Sequence, residues 1–136
     1  MELTEQEVFD KLLPLIQEVT GASEDRVRMD SVLVEDLGAE SLDLLDLSFL
    51  IEETFGVTLG ADEFERQARA AMPGGVYDRN GVLTEEAIQR LREALPEVPS
   101  EKLQPGLPKL TLPKVLNVAV FVHLIQRKLM EKEAVV

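Results

Sequence analysis

Apolar side chains recur at three- and four-residue spacing along most of the chain, which predicts amphipathic helices. The predicted helices lie at about 4–20, 41–55, 61–72, 84–95 and 112–131. Thr4 and Glu7 have the spacing of a capping box at the start of the first helix, and Gly21 and Gly56 are natural ends for the first two. Residues 22–39, between those two helices, are predicted to form a long loop that apolar side chains hold against the core.

The second and last predicted helices carry more apolar residues than a single stripe requires. In 41–55 the apolar positions cover most faces and the acids cluster on one side, which predicts a mostly buried helix. The last helix is predicted to begin after Thr111, with Pro113 in its first turn. Its alternating valines in 118–122 would also suit a strand. We favour a helix because the segment is long and the rest of the chain is helical.

Residues 66–109 contain an additional helix and a proline-rich connector. The third helix is predicted to open at Ala61 and Asp62, and the additional helix spans about 84–95. Five of the seven prolines lie in 96–113, which predicts irregular, partly extended backbone there. The run of 78–81 has acidic and glycine positions of a calcium loop, but it lacks ligands at the loop's other positions and is interpreted as a turn.

Composition narrows the classes of function. The 136 residues are expected to form one domain, 1–136, with the insertion at about 66–109. The net charge of −12 argues against nucleic-acid binding and favours partners with basic surfaces. There is no cysteine, so any thiol chemistry must come from a cofactor, and no metal site is expected. The chain shows neither a signal peptide nor an uncharged membrane span, and the cytoplasm is the expected location.

The chemistry of the chain centres on Ser41 at the start of the second helix, within the run Asp36-Leu37-Gly38-Ala39-Glu40-Ser41-Leu42. A serine there is by default only an N-cap. A hydrolase nucleophile elbow requires glycine two residues to each side, where this chain has Ala39 and Asp43. The only histidine, His123, is in the last predicted helix and is expected to be partly buried or at a rim. No base, metal cluster or phosphate loop accompanies Ser41, so the sequence predicts no enzyme.

This run resembles the signature of the acyl carrier protein family over roughly residues 4–65 and 110–130. The resemblance implies an all-α fold, namely the family's four-helix bundle with an extra helix and a proline-rich loop inserted before the last helix. It implies that Ser41 receives 4′-phosphopantetheine from coenzyme A, attached by a separate magnesium-dependent transferase. The thiol of that arm would carry acyl groups as thioesters. Serine at a helix start also suits a phosphate, because free amides and the helix dipole favour negative charge there.

The resemblance also implies a docking surface on the second helix. The residues expected to meet partners are Glu40, Leu42, Asp43, Asp46 and Glu53. The expected partners are the phosphopantetheinyl transferase and acyl synthases and acyltransferases with basic patches, which would dock on a monomer. A charge run is more generally a solvated helix face, and that interpretation stays open for these acids.

The insertion at 66–109 departs from the ordinary family pattern. Its layout resembles specialised carriers of very long or hydroxylated acyl chains for lipopolysaccharide, whereas the motif alone also fits fatty-acid biosynthesis. The insertion either enlarges a pocket for the acyl chain or packs as a decoration. Two other functions remain open. One is a polyketide or peptidyl carrier, of which the peptidyl type usually lacks an acid such as Glu40 just before the serine, and the other is an unmodified acidic helical module that only binds partner proteins.

Overall fold

The computed structural model describes residues 3–60 and 62–134, and its regular secondary structure is almost entirely helical. Its α-helices are α1 (Glu5–Thr20), α2 (Ser41–Phe55), α3 (Glu63–Ala70), α4 (Glu85–Ala94) and α5 (Val118–Ala134). Short 3-10 helices lie at Glu24–Arg26, Ser100–Lys102 and Lys109–Val115. Two short strands, β1 (Asp78–Arg79) and β2 (Val82–Leu83), pair antiparallel. The predicted all-α fold, with an extra helix inserted before the last one, is confirmed.

Local sequence signals explain where the first helix begins and ends. The Thr4 hydroxyl accepts a hydrogen bond from the Glu7 amide at 3.1 Å, and the Glu7 carboxylate accepts one from the Thr4 amide at 2.9 Å. Gly21 ends the helix in the left-handed conformation, with φ at 73°. The apolar face of α1 is fully buried, and α1 packs against both α2 and α5. The capping box and the bounds predicted for this helix are confirmed.

The predicted start of the last helix was wrong. Pro113 lies in the 3-10 helix Lys109–Val115, Leu116 is extended, and α5 begins only at Val118. The side-chain oxygen of Asn117 accepts a hydrogen bond from the Val120 amide at 3.1 Å, which is N-cap geometry. Because Asn117 is 4% exposed, this cap also ties the helix start into the core. A helix and not a strand is confirmed for 118–124.

The insertion is held to the bundle by backbone bonds as well as by packing. Asn80 and Gly81 have φ values of 54° and 83°, so the predicted turn joins β1 and β2 as a tight hairpin. The Leu83 amide donates to the Leu107 carbonyl at 2.9 Å, so the proline-rich connector runs beside β2. Helix α4 packs against α3. One cluster of buried apolar side chains includes residues of both the bundle and the insertion.

Helix α3 is shorter than predicted, because it spans Glu63–Ala70 with Asp62 preceding it. Ala61, which the sequence places at the opening of this helix, lies outside the described residues. Within the described parts of the chain, no helix combines the length and the apolar character that a bilayer span demands.

Candidate functional site

The loop before α2 is anchored by its apolar and acidic residues. Leu37 and Ala39 are each 4% exposed, and the Ala39 amide donates to the Leu33 carbonyl at 2.9 Å. The Asp36 carboxylate accepts a hydrogen bond from the Val32 amide at 2.7 Å. Asp36 therefore closes its own loop, and the motif has a fixed backbone path into the helix.

Ser41 stands at the first position of α2 and does not cap it. Gly38 takes a φ of 73°, a left-handed conformation that glycine adopts without strain. Glu40 occupies the N-cap position, and its amide donates to the Asp43 carboxylate at 2.8 Å. The Ser41 side chain is exposed, and its hydroxyl makes no hydrogen bond to any described residue. The sequence-based alternative that Ser41 is merely the N-cap is therefore wrong.

A cavity of about 320 Å³ opens beside Ser41. Its apolar walls come from the bundle, through Leu44, Phe64 and Phe121, among others, and from the insertion and the 3-10 helix that follows it. Tyr77, Leu110 and Leu112 are the principal residues of this second group. Cavities that hold small organic ligands have volumes of about 300–1,000 Å³ and mostly apolar walls. The space beside Ser41 is therefore large enough for an apolar group.

One carboxylate on the cavity wall is buried. Glu63 is 6% exposed, and its oxygens accept hydrogen bonds from Arg66 at 2.8 Å and from Gln67 at 2.9 Å. The Nζ atom of Lys128, in α5, lies 3.1 Å from Oε1 of Glu63. Burial by itself raises the pKa of Glu63, but the Gln67 and Lys128 hydrogen bonds and the nearby cations outweigh it and lower the pKa. The role of Glu63 could not be predicted from the sequence, because its partner Lys128 is remote along the chain.

The residues predicted to meet partners lie on the outer surface of α2. Glu40, Asp46 and Glu53 are exposed, whereas Asp43 is half-buried beside the helix start. Leu42 is 71% exposed, which is unusual for a leucine. The structure thus brings Leu42 and the acids near Ser41 onto the same short stretch, and Glu53 lies further along the helix.

The prediction that α2 is mostly buried was wrong. Besides Leu42, Leu45 and Phe49 are 40% and 58% exposed. Only the face with Leu47 and Ile51 is fully buried, since α2 packs closely on α1 and leaves its other apolar positions at the cavity and the surface. An exposed apolar strip formed by Leu42, Leu45 and Phe49 therefore lies beside the acids. The spacing of apolar residues along the helix does not predict this exposure.

Two further side chains have positions that the sequence only partly indicated. His123 is half-buried, as expected, and lies between Glu97 at 2.5 Å and Glu5 at 3.1 Å. Tyr77, the only tyrosine, was not singled out, although it lines the cavity and is 2% exposed. Among the described residues, no group of three or more His, Cys, Asp or Glu side chains could hold a metal ion.

Comparison with known proteins identifies the family. Residues 10–70 match a family model described as "Phosphopantetheine attachment site". The chain is 38% identical to an acyl carrier protein of Petrotoga mobilis over 64 residues, which are 47% of this chain and 75% of that protein. It is 39% identical to an acyl carrier protein of Thermotoga maritima over 61 residues, 45% of this chain and 75% of that protein. No solved structure matches the chain significantly.

The family match covers the helices that surround Ser41, and the residues present fit the prosthetic group. The Ser41 hydroxyl is exposed, lacks a competing hydrogen bond within the described residues, and borders an apolar cavity. The chain therefore belongs to the acyl carrier protein family, whose members are carriers and not enzymes and bear covalently attached 4′-phosphopantetheine.

Proposed function

We propose that Ser41 is the residue to which 4′-phosphopantetheine is attached. The observation that carries the proposal is the Ser41 hydroxyl, which is exposed, unbonded to any described residue and beside the cavity. In the attachment step the Ser41 oxygen forms a bond to the phosphorus of coenzyme A that carries the pantetheine. The bond from that phosphorus to the bridging oxygen of the diphosphate breaks, adenosine 3′,5′-bisphosphate leaves, and the serine proton is released. The attached arm supplies the flexible thiol that this cysteine-free chain lacks.

The position of Ser41 suits a phosphodiester on electrostatic grounds. Ser41 is the first residue of α2, where the helix dipole favours negative charge. The Glu40 amide is already bonded to Asp43, so that capping interaction does not depend on the Ser41 hydroxyl. Modification of Ser41 therefore leaves the cap in place.

An intact-mass experiment tests the attachment site. Purified protein is incubated with coenzyme A, magnesium and a promiscuous phosphopantetheinyl transferase. We expect a mass increase of one phosphopantetheine in the wild type and none in Ser41→Ala. Ser48→Ala is the matched control, because Ser48 borders the same cavity but its hydroxyl donates to the Leu44 carbonyl at 3.1 Å. No mass increase in the wild type would favour the alternative of an unmodified partner-binding module. Loss of the modification in Ser48→Ala but not in Ser41→Ala would assign the attachment site to Ser48.

We further propose that the cavity shelters the acyl chain and that the carrier serves fatty-acid or specialised lipid biosynthesis, including lipopolysaccharide. The support is that Tyr77, Leu110 and Leu112 share the cavity wall with the bundle helices, so the segments before α5 shape the space itself. A polyketide or peptidyl substrate remains the alternative. Loading the protein with acyl chains of increasing length and measuring Tm tests whether the insertion enlarges the pocket or only packs as a decoration. We expect Tm to rise with chain length beyond common fatty-acid lengths, and a plateau at short chains would contradict an enlarged pocket.

The exposed residues of α2 are proposed to recruit the modifying transferase, acyl synthases and acyltransferases. Glu40, Asp43, Asp46 and Glu53 supply negative charge, and Leu42 supplies exposed apolar surface of the kind that marks interaction sites. We also propose that 1–136 is one domain that acts as a monomer in the cytoplasm, where the transferase finds coenzyme A. The shared apolar cluster of bundle and insertion supports a single domain, and light scattering coupled to gel filtration tests the monomer.

A further inference from the structure

Besides the Ser41 hydroxyl, the wall of the cavity carries a tyrosine hydroxyl that the fold itself does not use. The Tyr77 side chain is 2% exposed and lines the cavity together with apolar residues such as Leu59 and Phe64. Its hydroxyl makes no hydrogen bond to any described residue. The hydroxyl oxygen itself is not fully buried, because among the described residues the buried side-chain polar atoms without a partner are Arg90 Nε and Glu97 Oε1. The packing of the described residues therefore does not use this oxygen, and the oxygen remains accessible for a hydrogen bond to a ligand.

The Tyr77 ring is held firmly in place. The Arg69 guanidinium lies 4.7 Å from the ring centroid and also pairs with Glu65 at 3.0 Å. The Tyr77 carbonyl accepts a hydrogen bond from the Thr84 amide at 3.1 Å, immediately before α4. The hydrogen bond from Thr84 therefore fixes the backbone at Tyr77, and moving the ring out of the wall would break its contact with Arg69 of α3. A group fixed in this way is preorganised to meet a ligand.

The hydroxyl keeps its proton throughout the physiological range. Burial, reinforced by the charges of Glu65 and Asp78 and opposed by Arg69, raises the pKa of Tyr77 to about 12. Tyr77 can therefore both donate and accept a hydrogen bond. A neutral oxygen suits it better than a carboxylate, because the acidic side chains of Glu63 and Glu65 line the same cavity.

We propose that the cavity selects acyl chains that carry a hydroxyl or keto oxygen, and that this oxygen binds the hydroxyl of Tyr77. The inference rests on the proposed attachment at Ser41, which borders the same cavity. The amides of the phosphopantetheine arm could offer the same hydrogen bond. The arm, however, is common to the family, whereas Tyr77 lies outside residues 10–70 that match the family model. Tyr77 is therefore assigned to the acyl chain, and it acts as a specificity-determining residue.

A comparison of paired acyl chains in two proteins tests the proposal. Wild type and Tyr77→Phe are loaded with chains of equal length, one saturated and the others bearing a hydroxyl at successive carbons. We expect one hydroxyl position to raise the Tm of the wild type about 3–5 °C above that of the plain chain, as for one hydrogen bond in a domain of this size. The gain disappears in Tyr77→Phe. Leu112→Ala is the control, because it changes the wall without removing a polar group, and it should leave the hydroxyl-dependent gain in place.

The other outcomes are equally decisive. An equal gain in wild type and Tyr77→Phe, or no gain at any carbon, would overturn the proposal. If the Tm difference between wild type and Tyr77→Phe is equally large with the unacylated phosphopantetheine arm, Tyr77 binds the arm and not the acyl chain. A lower Tm of Tyr77→Phe before modification would show a purely structural hydroxyl. If neither protein gains the phosphopantetheine mass, the proposed function fails before the acyl chain is tested.

Discussion

His123 Nδ1 lies 2.5 Å from the Glu97 carboxylate and thereby joins α5 to the proline-rich connector. On its other side, His123 Nε2 lies 3.1 Å from the carboxylate of Glu5 in α1. A neutral imidazole can donate to only one of these carboxylates, whereas the protonated ring donates to both. One oxygen of Glu97, Oε1, is buried without a partner in the described structure, so Glu97 depends strongly on the histidine. The protonation state of His123 therefore affects how three segments are joined.

We predict that this junction makes stability depend on pH. Partial burial by itself lowers the pKa of His123, but the bonds to Glu97 and Glu5 outweigh it and raise the pKa above 6.5. Because the folded pKa exceeds the unfolded pKa, the stabilisation is complete below about 6.5 and is lost as pH rises through the folded pKa. The Tm difference between wild type and His123→Gln should shrink from pH 6 to pH 9. A difference that stays constant over this range would contradict the prediction.

The second prediction concerns Asn117, which links the same connector to the start of α5. Its side-chain amide donates to the Glu97 carbonyl at 2.9 Å, while its oxygen accepts from the Val120 amide. Asn117→Ala removes the cap and leaves buried backbone groups unpaired, at a cost of about 2–4 kcal/mol in the free energy of unfolding. Thr4→Ala, which removes a cap at an exposed helix start, should cost about 1 kcal/mol. Urea denaturation measures both, and equal losses would argue against a special role for Asn117.

The sequence predicted the helices near their own start and stop signals. Thr4, Thr84 and Gly56 mark ends that are set by local hydrogen bonds or by a left-handed residue, and these ends were predicted within about one residue. The start of α5 was missed because Pro113 is a favourable first-turn residue, while the deciding cap, Asn117, gains its importance from the distant Glu97. Local signals compete at such positions, and tertiary contacts decide between them.

The site was predictable only in part, for a similar physical reason. A short motif identified Ser41 because residues 36–42 are close in sequence and act together. Tyr77 and Glu63 were missed, because their roles arise from a cavity and an ion pair formed by segments far apart in the chain. The exposure of Leu45 and Phe49 was also missed, since periodicity shows which positions are apolar but not how many helices pack on them.

The third prediction concerns Gly38 in the loop before Ser41. Its φ of 73° is left-handed, and a Cβ placed there meets nothing within 4 Å. Substitution therefore introduces backbone strain and no clash. Gly38→Ala should lower the free energy of unfolding by about 1–2 kcal/mol, and Gly38→Asn by less, because asparagine tolerates this conformation. Urea denaturation measures the order of the two variants, and the reverse order would contradict the assigned strain.

The fourth prediction separates charge from apolar contact on α2, using the rate of modification by the transferase. Leu42→Ala should lower kcat/KM about tenfold at any salt concentration, because losing about 1.4 kcal/mol of apolar contact corresponds to a factor of ten. Asp46→Lys should lower it several-fold at low salt and much less at high salt, because exposed charges are screened. Glu101→Lys, an exposed acid of the connector, is the charge-matched control. An equal effect of the two lysine variants would mean that net charge, and not the α2 surface, drives docking.

The last prediction concerns the buried carboxylate of Glu63. Lys128→Met removes one of its cations but leaves Arg66 2.8 Å away. The free energy of unfolding at neutral pH should fall by about 1–3 kcal/mol. This is less than the usual cost of removing the only partner of a buried charge, because Arg66 remains.

The pH dependence of this loss follows from the pKa of Glu63, which the folded protein lowers below 4.5. Its stabilisation is complete above about 4.5 and disappears as pH falls through the folded value, because the protonated acid needs no cation. The difference between wild type and Lys128→Met in urea denaturation should therefore shrink between pH 7 and pH 3.5. Lys132→Met makes the same charge change on α5, but Lys132 donates to the Gly56 carbonyl and not to Glu63. Its effect should not depend on the titration of Glu63, and a parallel pH dependence in both variants would argue that general charge repulsion is the cause.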